Sequence, residues 1–315
     1  MRSSCRWRSR AADLWSRAGP GAGRTRSRRY EGEEVTLYPG LIESEIVVDG
    51  AVVRVYDSGG DWQTPTIVLV HGTGSTAEKN YWALFPMLAF EHRVVALDLA
   101  LPDDGSELTL GFYVRQLEAV IEQVRDQRGV TLVGYSLGAV VSLALAARRS
   151  DLLTSIVTIA GWMKTDRHQV LRNNLWRKLR DEGSSAKADF ALFASYSAPY
   201  VSSRTVPDYE EIVRRVAGTD YPAPIMDLNR VIDIVAETHS IELPALVIGC
   251  IHDVMVQPRH SREIFGAIKD ARYAEIQAGH AVVHERPAEL FALIDRFVAD
   301  PNEYPAGTVF EQTDV

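Results

Sequence analysis

One stretch governs what this chain can fold into. Residues 129–147 run for 19 positions without a charged side chain. On length alone such a run could cross a bilayer. Gly134-Tyr135-Ser136-Leu137-Gly138 sits in its middle and excludes that reading, because the two halves follow different periods. Val130–Val133 is a short, largely β-branched run, and the segment from Leu137 onward has helical length and composition. A buried strand that turns through a glycine-flanked Ser into an apolar helix is a building unit of an α/β sheet.

The same alternation extends along the body of the chain. Strands are expected at Ser44–Val48, Val52–Tyr56, Thr66–Val70, Arg93–Leu99, Val130–Val133, Ser155–Ile159, Ala245–Ile251 and Arg272–Ile276. Helices are expected at Tyr81–Phe90, Leu108–Gln127, Leu137–Arg148, Ser261–Ile268 and Ala288–Val298. The inner strands read as continuous apolar runs, which a parallel sheet covered on both faces requires. The expected fold class is therefore α/β, with right-handed crossovers in a doubly wound sheet. About 80 residues between Ala160 and Pro244 break the rhythm. They carry helical patterns at His168–Arg180, Ala186–Ala194, Asp208–Val216 and Met226–Val235 but no strand, so they read as a helical insertion. The expected organisation is a core over 31–162 and 241–302, a helical cap over 163–240 and a C-terminal tail over 303–315. A disordered Arg-rich head is expected over 1–30.

Charge separates the head from the rest. Residues 1–29 hold nine arginines and one acid, and the remaining 286 residues carry 25 basic against 41 acidic groups. An acidic body argues against nucleic acid as the main partner, since phosphate neutralisation needs a clustered basic face. The head lacks the apolar stretch of a secretory signal, although its Arg/Ser-rich, acid-poor character resembles an organelle transit peptide. Gly19–Gly23 breaks any amphipathic helix there. Cys5 and Cys250 are too far apart to suggest a disulfide framework or a metal-ligand pair. A cytoplasmic location and no membrane partner are expected.

Four motifs fall in order on this frame. Gly134-Tyr135-Ser136-Leu137-Gly138 fits the nucleophile-elbow pattern, in which small residues let strand and helix approach around a strained Ser. His71-Gly72-Thr73-Gly74-Ser75 follows the strand Thr66–Val70; Thr73 and Leu137 would supply two N–H donors to an oxyanion. A phosphate loop would need a lysine before Ser/Thr, which is absent here. His71 is expected to brace this turn. Asp253 follows the strand Ala245–Ile251, at the carboxyl end where ligands bind in open sheets. His280 follows Gly279 and the strand Arg272–Ile276, with His284 as a nearby rival expected at the start of the next helix. Trp162 and Tyr135 are candidate substrate-pocket residues.

The order Ser136, Asp253, His280 and these four segments resemble the α/β-hydrolase superfamily from about Ser44 to Asp300. The Ile159-Ala160-Gly161-Trp162 segment and the following helices look like its enol-lactonase and carbon–carbon bond hydrolase branch. The resemblance implies a mostly parallel eight-stranded sheet and an inserted helical cap. It also implies a serine hydrolase acting on an ester, lactone or thioester of a small to medium, partly apolar substrate. No metal and no organic cofactor is expected. In place of the family's usual Gly-x-Gly turn, Asp98-Leu99 is followed by Ala100-Leu101-Pro102-Asp103-Asp104-Gly105. Two other classes remain: a cofactor-free lyase or tailoring enzyme working through His280, and a non-enzymatic binder. A basic cluster in the insertion (Lys164, Arg167, Arg172, Arg177, Lys178 and Arg180) is either an attractor of anions or a solvated helix face. The oligomeric state, monomer or dimer, is open.

Overall fold

Five-residue runs such as Thr66–Val70, with every residue buried, need protein on both sides. The computed structural model supplies it with an eight-stranded sheet. It describes residues 37–60, 62–218 and 221–310. The expected head over 1–30 lies outside the described residues, as do 311–315 of the tail. The strands are β1 (Ile42–Val48), β2 (Ala51–Asp57), β3 (Thr66–Val70), β4 (Val94–Asp98), β5 (Val130–Tyr135), β6 (Ser155–Ile159), β7 (Ala245–Cys250) and β8 (Ala271–Ile276). Their spatial order is β1-β2-β4-β3-β5-β6-β7-β8. β2 runs antiparallel to β1 and β4, and every other neighbouring pair is parallel.

The helices cover both faces. Along the chain they are α1 (Ala77–Tyr81), α2 (Leu84–Ala89), α3 (Leu110–Val124), α4 (Leu137–Arg148), α5 (Arg167–Asp181), α6 (Ala186–Ser195), α7 (Ala198–Ser202), α8 (Val206–Ala217), α9 (Ala223–Arg230), α10 (Val235–His239), α11 (Pro258–Ala267), α12 (Val282–Glu285) and α13 (Pro287–Ala299). Period-2 alternation sends Val68 and Val70 toward α3, α4 and α11, while Ile67 and Leu69 meet α1, α2 and α13. The insertion, α5 to α10, has its own apolar centre of Trp176, Leu192, Tyr196, Ile212 and Val216. Asp166 and Gln169 form a capping box that starts α5.

Several expected elements differ in extent. The single helix expected over Tyr81–Phe90 is two, α1 and α2. Pro86 has no N–H to offer the carbonyl of Trp82, so the chain restarts with Pro86 in the first turn of α2. The helix expected over Met226–Val235 is also two. Between α9 and α10 the chain pairs with the start of the insertion, where Ile234 N–H donates to Met163 O at 2.8 Å and Thr165 N–H to Ile232 O at 2.9 Å. α7 and α12 were not expected, being too short for a period. His284 lies inside α12 rather than at the start of α13. Within the expected tail, residues 307–310 run along the free edge of β8, with Tyr273 N–H donating to Thr308 O and Phe310 N–H to Tyr273 O. An edge so covered has fewer groups to offer another chain.

Candidate active site

The site is built where β5, β7 and β8 end. β5 is central and fully buried, and its last residue, Tyr135, pairs with Ile159 of β6. Ser136 comes next, with φ 55° and ψ −120°, in a region that L-residues avoid. Its N–H still donates to Ile159 O at 2.9 Å, so the strained residue is anchored on the sheet. The turn leaves no space for side chains at its two glycines. A Cβ on Gly134 would stand 2.6 Å from the Ala139 Cα, and one on Gly138 would stand 2.7 Å from His71 O. Both distances are shorter than real Cβ contacts, which is why this position of strand and helix needs glycine.

Ser136 Oγ lies 2.9 Å from His280 Nε2, and His280 Nδ1 lies 2.6 Å from Asp253 Oδ2. Residues 144 positions apart in sequence are thereby brought into one hydrogen-bonded chain. All three are buried. The other carboxylate oxygen of Asp253 accepts from Met255 N–H at 2.7 Å and Val256 N–H at 2.8 Å. Those bonds fix the carboxylate plane and leave Oδ2 for the imidazole. His284 stands outside this chain. Its Nε2 is 2.8 Å from Lys79 O and its Nδ1 is 3.2 Å from the Tyr196 hydroxyl. Burial holds its pKa below the ordinary histidine value.

The turn after β3 presses on the elbow, since a Cβ on Gly72 would lie 3.2 Å from that of Ser136. His71 fixes this turn. Leu99 N–H can only donate, so His71 Nε2 accepts at 2.9 Å, and Nδ1–H donates to Gly72 O at 2.8 Å. Both ring nitrogens are used and the ring is neutral. Burial pushes its pKa down, against the pull of the Gly72 carbonyl. Gly72 N–H in turn donates to Asn80 Oδ1 at 2.8 Å. Among the described residues, the N–H groups of Thr73 and Leu137 have no acceptor. The Thr73 hydroxyl accepts from Asn229 Nδ2 of the insertion at 2.9 Å.

Tyr135 and Trp162 turn inward. The Tyr135 hydroxyl donates to His280 O at 2.7 Å, and its ring lies 5.4 Å from the imidazole. Burial drives its pKa far up, so it remains a donor. Trp162 Nε1–H donates to Thr165 Oγ1 at 3.0 Å, and the indole packs into the core under the insertion. The basic cluster divides. Lys164 pairs with Asp233 at 2.6 Å, Arg177 with Asp227 at 3.5 Å and Arg180 with Asp181 at 2.9 Å. Arg172 alone reaches the acid loop, donating to Met255 O at 3.1 Å. Burial lowers its pKa, partly opposed by the attraction of Asp253. The unusual loop after β4 is fixed by Gln116, which accepts from Ala100 N–H and donates to Ala100 O, each at 2.9 Å. Sequence reasoning passed over Gln116, Asn229, Ser197 and Glu285, because their partners lie far along the chain.

A family model for α/β-hydrolases matches residues 67–293. The chain belongs to the α/β-hydrolase family. Among curated relatives, this hydrolase is 30% identical over 246 residues to pyrrolizixenacetamide deacetylase of Xenorhabdus hominickii, covering 76% of this chain and 92% of the relative. It is 28% identical over 232 residues to RutD of Stutzerimonas stutzeri, named for carbamate hydrolysis, covering 69% and 85%. The solved enol-lactonase of Burkholderia xenovorans LB400 shares its fold with a TM-score of 0.69 at 24% identity, over 82% of this chain and 100% of that one. The MGS-M2 α/β-hydrolase from a deep-sea metagenome superposes with a TM-score of 0.71 at 18% identity, over 86% and 100%. The chain is thus a hydrolase by family. No helix among the described residues is long and apolar enough to cross a membrane.

Proposed function

We propose that this enzyme is a serine hydrolase that cleaves an ester, lactone or thioester of a small to medium, partly apolar substrate through an acyl-enzyme. The observation that carries the reading is the unbroken chain from Ser136 Oγ through His280 to Asp253, at 2.9 Å and 2.6 Å. Both distances lie within reach for proton transfer and imidazole orientation.

In this mechanism His280 Nε2 takes the proton of Ser136 as Oγ attacks the carbonyl carbon. Asp253 holds the Nδ1–H tautomer and stabilises the imidazolium as it forms. The Thr73 and Leu137 N–H groups receive the developing oxyanion; that neither has an acceptor of its own supports this role. His280 then protonates the leaving group. Water, deprotonated by His280, attacks the acyl carbon and restores Ser136. The placement of Tyr135 against the His280 carbonyl supports a base held from behind rather than a pocket wall.

The test compares wild type, Ser136→Ala and His280→Ala on a panel of activated esters, lactones and thioesters. An acetamide belongs on the panel, because one relative is named a deacetylase. The reading expects turnover of at least one acyl class by wild type and none by either variant. Turnover retained by Ser136→Ala but lost in His280→Ala would move the reaction to elimination or carbon–carbon cleavage.

A further inference from the structure

The loop that bears His280 is held from the helical insertion as well as from the sheet. A Cβ on Gly279 would stand 2.6 Å from Ser197 N and 2.8 Å from Ser195 O. Ala281 N–H donates to Ser195 O at 2.7 Å. The residues on either side of His280 therefore both touch the connection between α6 and α7.

Glu285 locks this contact. Its side chain is buried, and its two carboxylate oxygens accept three hydrogen bonds. Oε1 accepts from Ser197 N–H at 2.8 Å and from Gly279 N–H at 3.1 Å. Oε2 accepts from the Ser197 hydroxyl at 2.6 Å. Hydrogen bonds to a buried carboxylate are stronger than neutral ones. One acid thus fixes the backbone immediately before the imidazole and the insertion segment that covers it. Among the described residues, the His280 carbonyl accepts from the Tyr135 hydroxyl alone, at 2.7 Å.

We propose that Glu285 is a positioning residue: seated on Ser197, it holds the Gly279–His280 backbone so that the imidazole meets Ser136 when the insertion is docked. This inference rests on the serine-hydrolase reading above.

Glu285→Gln and Glu285→Ala separate this role from bulk stability. The glutamine carbonyl keeps both N–H donors, and its amide can donate to the Ser197 hydroxyl, whereas alanine abandons all three. Kinetics on p-nitrophenyl acetate and the rate of fluorophosphonate labelling are the readouts. A misplacement of about 1 Å costs about 100-fold in rate, so Glu285→Ala should lose kcat and labelling rate on that order. KM should stay within about threefold, and Glu285→Gln should recover most of the loss. An unchanged kcat in Glu285→Ala, an effect confined to KM, or an equal loss in Glu285→Gln would overturn the proposal. If Glu285→Ala does not fold, Ser197→Ala removes the hydroxyl's bond to Glu285, together with the cap it gives Tyr200 N–H, and should lower kcat about fivefold; an unchanged kcat again overturns it. Ser136→Ala run alongside keeps the two readings apart. Turnover surviving there refutes the hydrolase mechanism, whereas a dead Ser136→Ala beside a fully active Glu285→Ala refutes only the positioning role.

Discussion

The strain at Ser136 can be measured without any substrate. Ser136→Ala and Ser136→Gly both delete the hydroxyl and its 2.9 Å contact with His280. They differ in backbone freedom and in one buried methyl group. At φ 55° and ψ −120° an alanine retains the strain of the native Ser, and glycine does not. A residue held in a sparsely populated region costs about 1–3 kcal/mol. Glycine gives back about 0.5–1 kcal/mol through the larger entropy of its unfolded chain. The difference predicts that Ser136→Gly is more stable than Ser136→Ala by about 0–2.5 kcal/mol, centred near about 1 kcal/mol. Urea denaturation at one pH measures it as a higher midpoint with an unchanged slope. In an ordinary strand-to-helix turn the sign reverses, with alanine the more stable by about 0.5–1 kcal/mol. A more stable Ser136→Ala would refute the claim that the fold stores strain at this Ser.

Other consequences are open to direct measurement. Tyr135→Phe removes the 2.7 Å bond to His280 O and leaves a buried carbonyl unsatisfied; it should destabilise by about 1–3 kcal/mol, read by urea denaturation, and lower kcat more than it raises KM. His71 is buried neutral, so its folded pKa lies below its unfolded value. The unfolded chain then binds more protons in acid, and stability falls as pH drops below about 6.5, by at most about 1.4 kcal/mol per pH unit from this group. His71→Gln should flatten the stability-against-pH curve between pH 7 and 5; an unchanged slope would contradict the assignment.

Much of the frame was legible in the sequence because the constraints are local. An apolar run such as Thr66–Val70 reports burial on both faces by itself. Gly134 and Gly138 report a close approach of strand and helix. The spacing that put Ser136, Asp253 and His280 after the ends of β5, β7 and β8 needed only element order. What stayed hidden depends on distant partners. Tyr135 read as a pocket residue because its position beside Ser136 is visible, whereas its bond to a carbonyl 145 residues away is not. Glu285 drew no assignment for the same reason. The break between α9 and α10 was missed because Val231, Ile232 and Ile234 fit a helix period as well as a strand, and pairing with Met163–Thr165 decides between them.

The most direct test of the central claim is covalent. Wild-type enzyme, Ser136→Ala and His280→Ala are treated with a fluorophosphonate, and the modified peptide is located by mass spectrometry. The account predicts a single adduct on Ser136 in wild type, none in Ser136→Ala, and labelling at least about 100-fold slower in His280→Ala, which lacks the base. No adduct in wild type, or an adduct on another residue, would contradict it.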